Sequence, residues 1–168
     1  MQQELTRTRN ERSASAMQGG KYLVFALDPN QYGVPIQSVR EIIAMHDITP
    51  LPRMPHFVRG VINLRGKIIP VADLRICLGM QFNEATRISC IIVSEIECDE
   101  DGTTTQIGCM VDSVCEVREV NGDEIQFPPH GGDGGAVQGL VRTDDTVVAL
   151  LELQVLLGEL AAHSGNAA

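Results

Sequence analysis

Val58–Gly79 reads VRGVINLRGKIIPVADLRICLG, and Val137–Gly158 reads VQGLVRTDDTVVALLELQVLLG. The two stretches align at a constant offset of 79 residues without a gap: Gly60 falls on Gly139, Asp73 on Glu152, Leu74 on Leu153, Leu78 on Leu157 and Gly79 on Gly158. A second match lies upstream. YGVPIQSVREI from Tyr32 falls on IGCMVDSVCEV from Ile107 at an offset of 75, pairing Gly33 with Gly108, Ser38 with Ser113, Val39 with Val114 and Glu41 with Glu116. Small and turn residues repeat along with the apolar ones, which apolar patterning alone does not produce. Self-similarity at one period means that a single supersecondary unit is used twice.

The unit can be read from its first copy. Tyr22–Leu27 is an apolar, β-prone run stopped by Asp28-Pro29-Asn30, and Tyr32–Ile36 resumes it, which is the pattern of a hairpin. Val39, Ile42 and Ile43 recur at helical spacing, so Gln37–Met45 is either a short helix or an irregular strand. Pro50, Pro52 and Pro55 then impose an extended segment poor in hydrogen bonds. Val58–Leu64 and Lys67–Val71 flank an Arg65-Gly66 turn. Asp73 follows as an N-cap for a short helix that ends at Gly79. In the second copy, strands are expected over Ile88–Ile96, Thr103–Val111 and Asp112–Val120. The acidic tip Asp99–Gly102 and the glycine-rich loop His130–Gly135 read as connections, and a last hairpin and helix run from Val137 to Leu160.

An all-β fold follows, with about five short strands per unit. Small closed barrels suit such units because closure removes exposed strand edges. The expected organisation is a disordered tail over 1–20, a first unit over about 21–84, a second over about 85–160 and a tail over 161–168. Whether strands are exchanged between the units is left open at this level.

The 168 residues are 43% hydrophobic but only 4% aromatic, without Trp, so the core must be built from Ile, Val, Leu and Met. A net charge of −9 with scattered basic residues excludes a nucleic-acid partner, which would need clustered phosphate-neutralising charge. The polar N-terminus has no apolar segment of a secretory signal, and no apolar run approaches the roughly 18 residues of a membrane span. A soluble, cytoplasmic protein without direct membrane insertion is expected. Cys77, Cys90, Cys98, Cys109 and Cys115 show no paired ligand spacing and read as reduced, mostly buried thiols.

The motifs of catalysis are missing. There is neither a G-x-S-x-G elbow nor a G-x-x-x-x-G-K-[ST] loop, and HGGDGGAVQG lacks the lysine and leads into a strand. His46, His56, His130 and His163 are isolated in sequence. Asp73 and Glu152 occupy equivalent positions, which favours duplicated caps over an acid–base pair. No catalytic residue, cofactor or metal site is expected.

YLVFALDPNQYGVPIQSVREI, ITPLPRMPHFVRGVINLRGKIIPVADLRICLGM and IGCMVDSVCEV resemble the CheW-like family of bacterial chemotaxis adaptors, over roughly Lys21–Leu160. The run Phe57–Leu74, FVRGVINLRGKIIPVADL, is the most specific part. The resemblance implies two SH3-like five-stranded β-barrels packed on a shared core. It implies a non-catalytic adaptor that binds the regulatory domain of a CheA-type histidine kinase and the cytoplasmic tip of methyl-accepting receptors. Such a protein is recruited to receptor arrays at the inner membrane face. The partner-binding positions it implies are Val39, Glu41 and Ile42, together with Arg65 of the Asn-Leu-Arg-Gly turn and the motif glycines Gly60 and Gly66. From the residues alone, Val39 and Ile42 could equally be core, Arg65 an exposed turn residue, and the glycines a matter of backbone geometry. At this length a whole kinase or an adaptor fused to a receiver domain is not expected. An enzymatic or ligand-binding barrel would need converging polar groups that the sequence does not offer.

Overall fold

The computed structural model describes residues 19–98, 102–128 and 135–165. Residues 1–18 of the tail expected over 1–20, the Asp99–Asp101 tip, the glycine loop up to Gly134 and the last residues from Asn166 lie outside the described residues.

The first copy of the unit supplies β1 (Gly20–Leu27), β2 (Asn30–Pro35), β3 (Val39–Ala44), β4 (Val58–Leu64), β5 (Lys67–Asp73) and a short helix α1 (Leu74–Cys77). The second supplies β6 (Cys90–Glu97), β7 (Thr104–Val111), β8 (Ser113–Val120), β9 (Ile125–Gln126), β10 (Val137–Arg142), β11 (Val147–Leu151) and α2 (Leu153–Gly165). Two expected boundaries move. β1 begins at Gly20, paired with Val120, and a Cβ on Gly19 would lie 2.5 Å from the Val120 carbonyl, so the chain is already packed on β8 at the end of the expected tail. Helix α2 runs on to Gly165, past the Leu160 end read from the sequence.

The strands assemble as β8-β1-β2-β11-β10-β9 in one sheet and β3-β6-β7-β5-β4 in the other. The units are therefore interlocked rather than side by side. The hairpin β1-β2 of the first copy lies in the sheet of the second, and β6-β7 of the second lies in the sheet of the first. The equivalence reaches single residues. Gly33 faces Leu150 where β2 runs parallel to β11, and Gly108 faces Val71 where β7 runs parallel to β5. The ladder of β3 on β6 skips Arg40, and that of β8 on β1 skips Cys115, the residue at the same place in the repeat. The Asp73 N–H donates to the Phe57 carbonyl at 2.8 Å, and the Glu152 N–H to the Ala136 carbonyl at 2.9 Å.

The bulge at Arg40 explains the ambiguous spacing of Val39, Ile42 and Ile43. One extra residue shifts the two-residue alternation of a strand by one. Val39 and Ile42 then oppose Ser94 and Ile92 on the same face although they are three apart. Gln37–Met45 is thus an irregular strand preceded by one 3-10 turn, Ile36–Ser38.

Each sheet wraps a small apolar interior. Tyr22, Val24, Val120, Ile125, Val141, Val148 and Leu150 fill one, and Ile62, Ile69, Val71, Ile91, Val93 and Met110 fill the other. The alternate residues of the exchanged hairpins, among them Leu23, Phe25, Leu27, Ile92, Ile96 and Ile107, meet in a third core shared with Leu74, Leu153, Leu157 and Leu160. That is why YLVFAL and CIIV read as unbroken apolar runs: both faces of these strands are covered. Two small sheets around interiors of their own, on a shared core, match the paired-barrel architecture.

Candidate functional site

Six residues of the sequence reading, Val39, Glu41, Ile42, Gly60, Arg65 and Gly66, all lie in the sheet that carries β3 at one edge and β4 at the other. Arg65 and Gly66 form the two-residue turn between β4 and β5, with Leu64 paired to Lys67. Both have positive φ, +53° and +84°, as a tight hairpin turn matching strand twist requires. The Asn63 Oδ1 accepts from the Gly66 N–H at 2.9 Å and holds the turn. A non-glycine residue in this region is uncommon, and the Arg65 side chain reaches back to β3. There its two terminal nitrogens donate to both oxygens of Glu41, at 3.0 and 2.8 Å. The fork is bidentate and joins the turn at the β4 edge to the β3 edge. The guanidinium holds the Glu41 carboxyl below its ordinary pKa, chiefly through these hydrogen bonds.

One residue before Glu41, Arg40 pairs with Glu95 of β6, whose other oxygen accepts from the Thr104 hydroxyl at 2.7 Å. One residue after Glu41, Ile42 is 44% exposed, with exposed Ala44 next on the same side. The β3 edge thus offers exposed Ile42 and Ala44 directly following two adjacent ion pairs. Val39 separates from it: it packs half-buried on the shared core. The two glycines act through the backbone. Gly60 has φ +143°, and a Cβ on it would lie 2.1 Å from the Thr49 carbonyl oxygen. The Thr49–Val61 bridge crosses over that spot, with both hydrogen bonds at 2.9 Å. Gly66 has open space around it, and its positive φ alone suits glycine. Glu41, Ile42, Arg65 and Gly66 are therefore gathered at one place, while Gly60 is buried under the Thr49–Pro50 segment and Val39 faces inward.

Two residues escaped the sequence reading. Arg75, 7% exposed, donates to the Asp112 carboxylate at 2.7 Å, to the Asp28 carbonyl at 3.1 Å and to the Gln81 carbonyl at 3.0 Å. Asp112 Oδ2 also accepts from the Asp28 N–H at 2.8 Å. Its counterpart in the repeat is Gln154, whose side chain accepts from the Glu97 N–H at 2.9 Å and donates to the Glu97 carbonyl at 2.7 Å. Each helix thus touches the end of its own unit's exchanged hairpin, Gln154 at the Glu97 backbone and Arg75 at the Asp28 carbonyl, and Arg75 adds an ion pair to Asp112 of the second unit. The only sequence signal was their common place two residues after Asp73 and Glu152. Those two behave as caps: Asp73 accepts from the Arg75 N–H at 3.0 Å and Glu152 from the Gln154 N–H at 3.3 Å.

Burial pushes the thiols of Cys77 and Cys109 up to about 12, so neither is a thiolate near neutral pH. Cys115 departs from the buried expectation and is exposed at the β8 bulge. Among the described residues, no group of three or more His, Cys, Asp or Glu is placed to hold a metal ion. An open depression of about 250 Å³ is lined by Ser38, Glu95, Ile96, Glu97, Glu152, Leu153 and Gln154, below the roughly 300–1,000 Å³ of small-molecule sites. No described helix is long and apolar enough to cross a membrane.

A family profile, the CheW-like domain, matches residues 21–161. The chain is similar to the chemotaxis protein CheW of Thermotoga maritima, 31% identical across 90% of this chain and 97% of that one. It is similar to the probable chemotaxis protein CheW of Rhizobium etli, 32% identical across 89% and 96%. In three dimensions it resembles the scaffolding protein TtCheW of Thermoanaerobacter tengcongensis, with a TM-score of 0.73, 36% identity, and coverage of 83% of this chain and 93% of that one. On these grounds the chain belongs to the CheW-like family of chemotaxis scaffold proteins.

Proposed function

We propose that this chain is a non-catalytic coupling protein that binds the cytoplasmic helical tip of methyl-accepting chemotaxis receptors and the regulatory domain of a CheA-type histidine kinase. The observation that carries the receptor half is the β3 edge, where exposed Ile42 lies beside the Glu41–Arg65 and Arg40–Glu95 pairs. An apolar strip beside charged pairs suits one face of an amphipathic helix: Ile42 takes the apolar stripe, and the ion pairs set register and reject wrong partners. Gly66 shapes the turn that aims Arg65. Gly60 lets the Thr49 strand close over β4, and Val39 seats β3 on the core. The kinase domain docks at the barrel ends away from this strip. No bond is made or broken: the adaptor raises the effective concentration of two partners for each other and passes receptor state on as a shift in kinase populations. Recruitment to the inner membrane face then comes through the receptor.

Calorimetric titration with the regulatory domain of the host's CheA-type kinase tests the reading, with saturable binding near one to one expected. Absence of binding to every such kinase of the host overturns it. Arg65→Glu places two acids face to face at the β3 edge and is expected to weaken receptor binding by about tenfold or more. Kinase binding and the folded far-UV spectrum should persist in that variant. Loss of the folded spectrum would remove Arg65 from the docking role and make it a structural residue.

A further inference from the structure

Everything that joins the two units of this fold, apart from one peptide segment, is non-covalent. β1 pairs with β8 along nearly its whole length, β2 with β11, β3 with β6 and β5 with β7, and each of these pairs takes one strand from each unit. The covalent link is the stretch between α1 and β6. Within it, residues 81–88 are exposed and without regular structure. Leu78 and Met80 at its start pack on the shared core, and residues 81–88 are held by the Gln81 carbonyl on Arg75, the Phe82 ring 4.3 Å beneath the Arg59 guanidinium, and a Thr86–Ser89 turn. Extended, the stretch from Leu78 to Ser89 reaches about 36–40 Å. That exceeds the ~15 Å radius of gyration of a globule of this length.

We propose that two copies of this chain exchange units through residues 78–89. In the resulting dimer each globule is built from the first unit of one chain and the second unit of the other. The exchange creates no new interface to be optimised. Every strand pair, the shared core and the Arg75–Asp112 contact re-form between chains, and only linker contacts differ. Such exchange is a low-cost route to dimers. The balance is set by effective concentration, which for a short tether is in the mM range. The closed monomer therefore prevails when dilute, and the dimer forms when chains fold crowded together and then persists because release requires unfolding. If the adaptor reading above is right, the dimer carries two complete sets of docking surfaces and cross-links two partner assemblies.

The contact between Arg75 of the first unit and Asp112 of the second provides the test. Arg75→Asp and Asp112→Arg each put like charges together in a monomer or in a dimer of one variant. In an exchanged dimer of the two variants, one globule brings both substituted positions together as an ion pair of reversed polarity, and the other holds the native pair. Full-length variants refolded together near mM concentration should give a species of twice the monomer mass by light scattering, with a native far-UV spectrum and several-fold more yield than either variant alone. No gain on mixing overturns the proposal. The unsubstituted chain, refolded across µM to mM concentration, supplies the second readout: its dimer fraction should rise several-fold at constant far-UV spectrum. A monomer at every concentration overturns the proposal, as does a dimer without cross-rescue, which would be a surface association. Mass is read without any kinase or receptor, so failure here leaves the adaptor reading standing.

Discussion

The sheet ending in β3 and the sheet ending in β8 share the order of their first five strands and differ in charge. Pairing order, bulge position, the parallel contact of a glycine-bearing strand and the capped helix are all duplicated. At the β3 edge, the turn residue Arg65 forks onto Glu41. The same places on the other sheet carry Asp144 and Glu116, two acids that cannot pair, and Glu116 stands 3.8 Å from Arg118 instead. The latch is arginine on one side and glutamine on the other. Positions that determine chain path match between the two copies, whereas the charges at the turn and the edge strand differ.

Breaking the shared backbone should have the largest effect. Gly60→Ala sets a Cβ 2.1 Å from a carbonyl oxygen at φ +143°, with no flexible side chain able to yield. A loss of about 3–5 kcal/mol or failure to fold is expected in urea denaturation. Gly66→Ala has a positive φ but no clash, and should cost about 1 kcal/mol. A Gly60→Ala protein as stable as Gly66→Ala would mean that Thr49 does not cross over β4 as described.

The two latches come next. Arg75→Met removes a guanidinium whose side chain is 9% exposed and leaves Asp112, 22% exposed, without its cation. About 2–4 kcal/mol should be lost. Gln154→Met removes two hydrogen bonds to the Glu97 backbone in an exposed setting, and about 1 kcal/mol is expected. Equal losses would show that the charge adds nothing to the latch.

The smallest effects lie in titration, and their signs are opposite. Hydrogen bonds from Arg65 hold the Glu41 carboxyl low, so the stability it contributes is present at neutral pH and is lost as pH falls through the lowered value. Burial holds the Asp73 carboxyl high, so its contribution is present in acid and is lost as pH rises through the raised value. Carboxyl-detected NMR of Arg65→Ala should show Glu41 returning upward to the ordinary glutamate range with Asp73 unmoved. A shift of both would contradict the local origin of the Glu41 perturbation.

Much of the fold was legible because it depends on local chemistry written twice. Asp28-Pro29-Asn30 stops β1, Arg65-Gly66 turns β4 into β5, and Asp73 caps α1 whatever lies beyond them. The β3 segment was ambiguous because a bulge lets a strand imitate helical spacing, and a bulge is defined against the partner strand. The site was half legible. Glu41 and Arg65 could be named from the motif, but not as an ion pair 24 residues apart in sequence. Ile42 and Val39 could not be told apart, because both share one face of β3 and only the reach of the shared core, which covers Val39 and leaves Ile42 exposed, separates them. Arg75 was invisible as a latch, since its partners Asp28 and Asp112 lie 47 and 37 residues away.

The sequence by itself determined the duplication, the turns, the caps, the apolar strands and the family, because each depends on neighbours along the chain or on a pattern repeated within it. Only the tertiary structure decided which hairpin sits in which sheet, which apolar residue remains at the surface and which charges meet. Both copies carry nearly the same apolar pattern, so either hairpin suits either sheet by sequence. The choice is made by packing the two hairpins face to face over the shared core, an energy that belongs to both units at once.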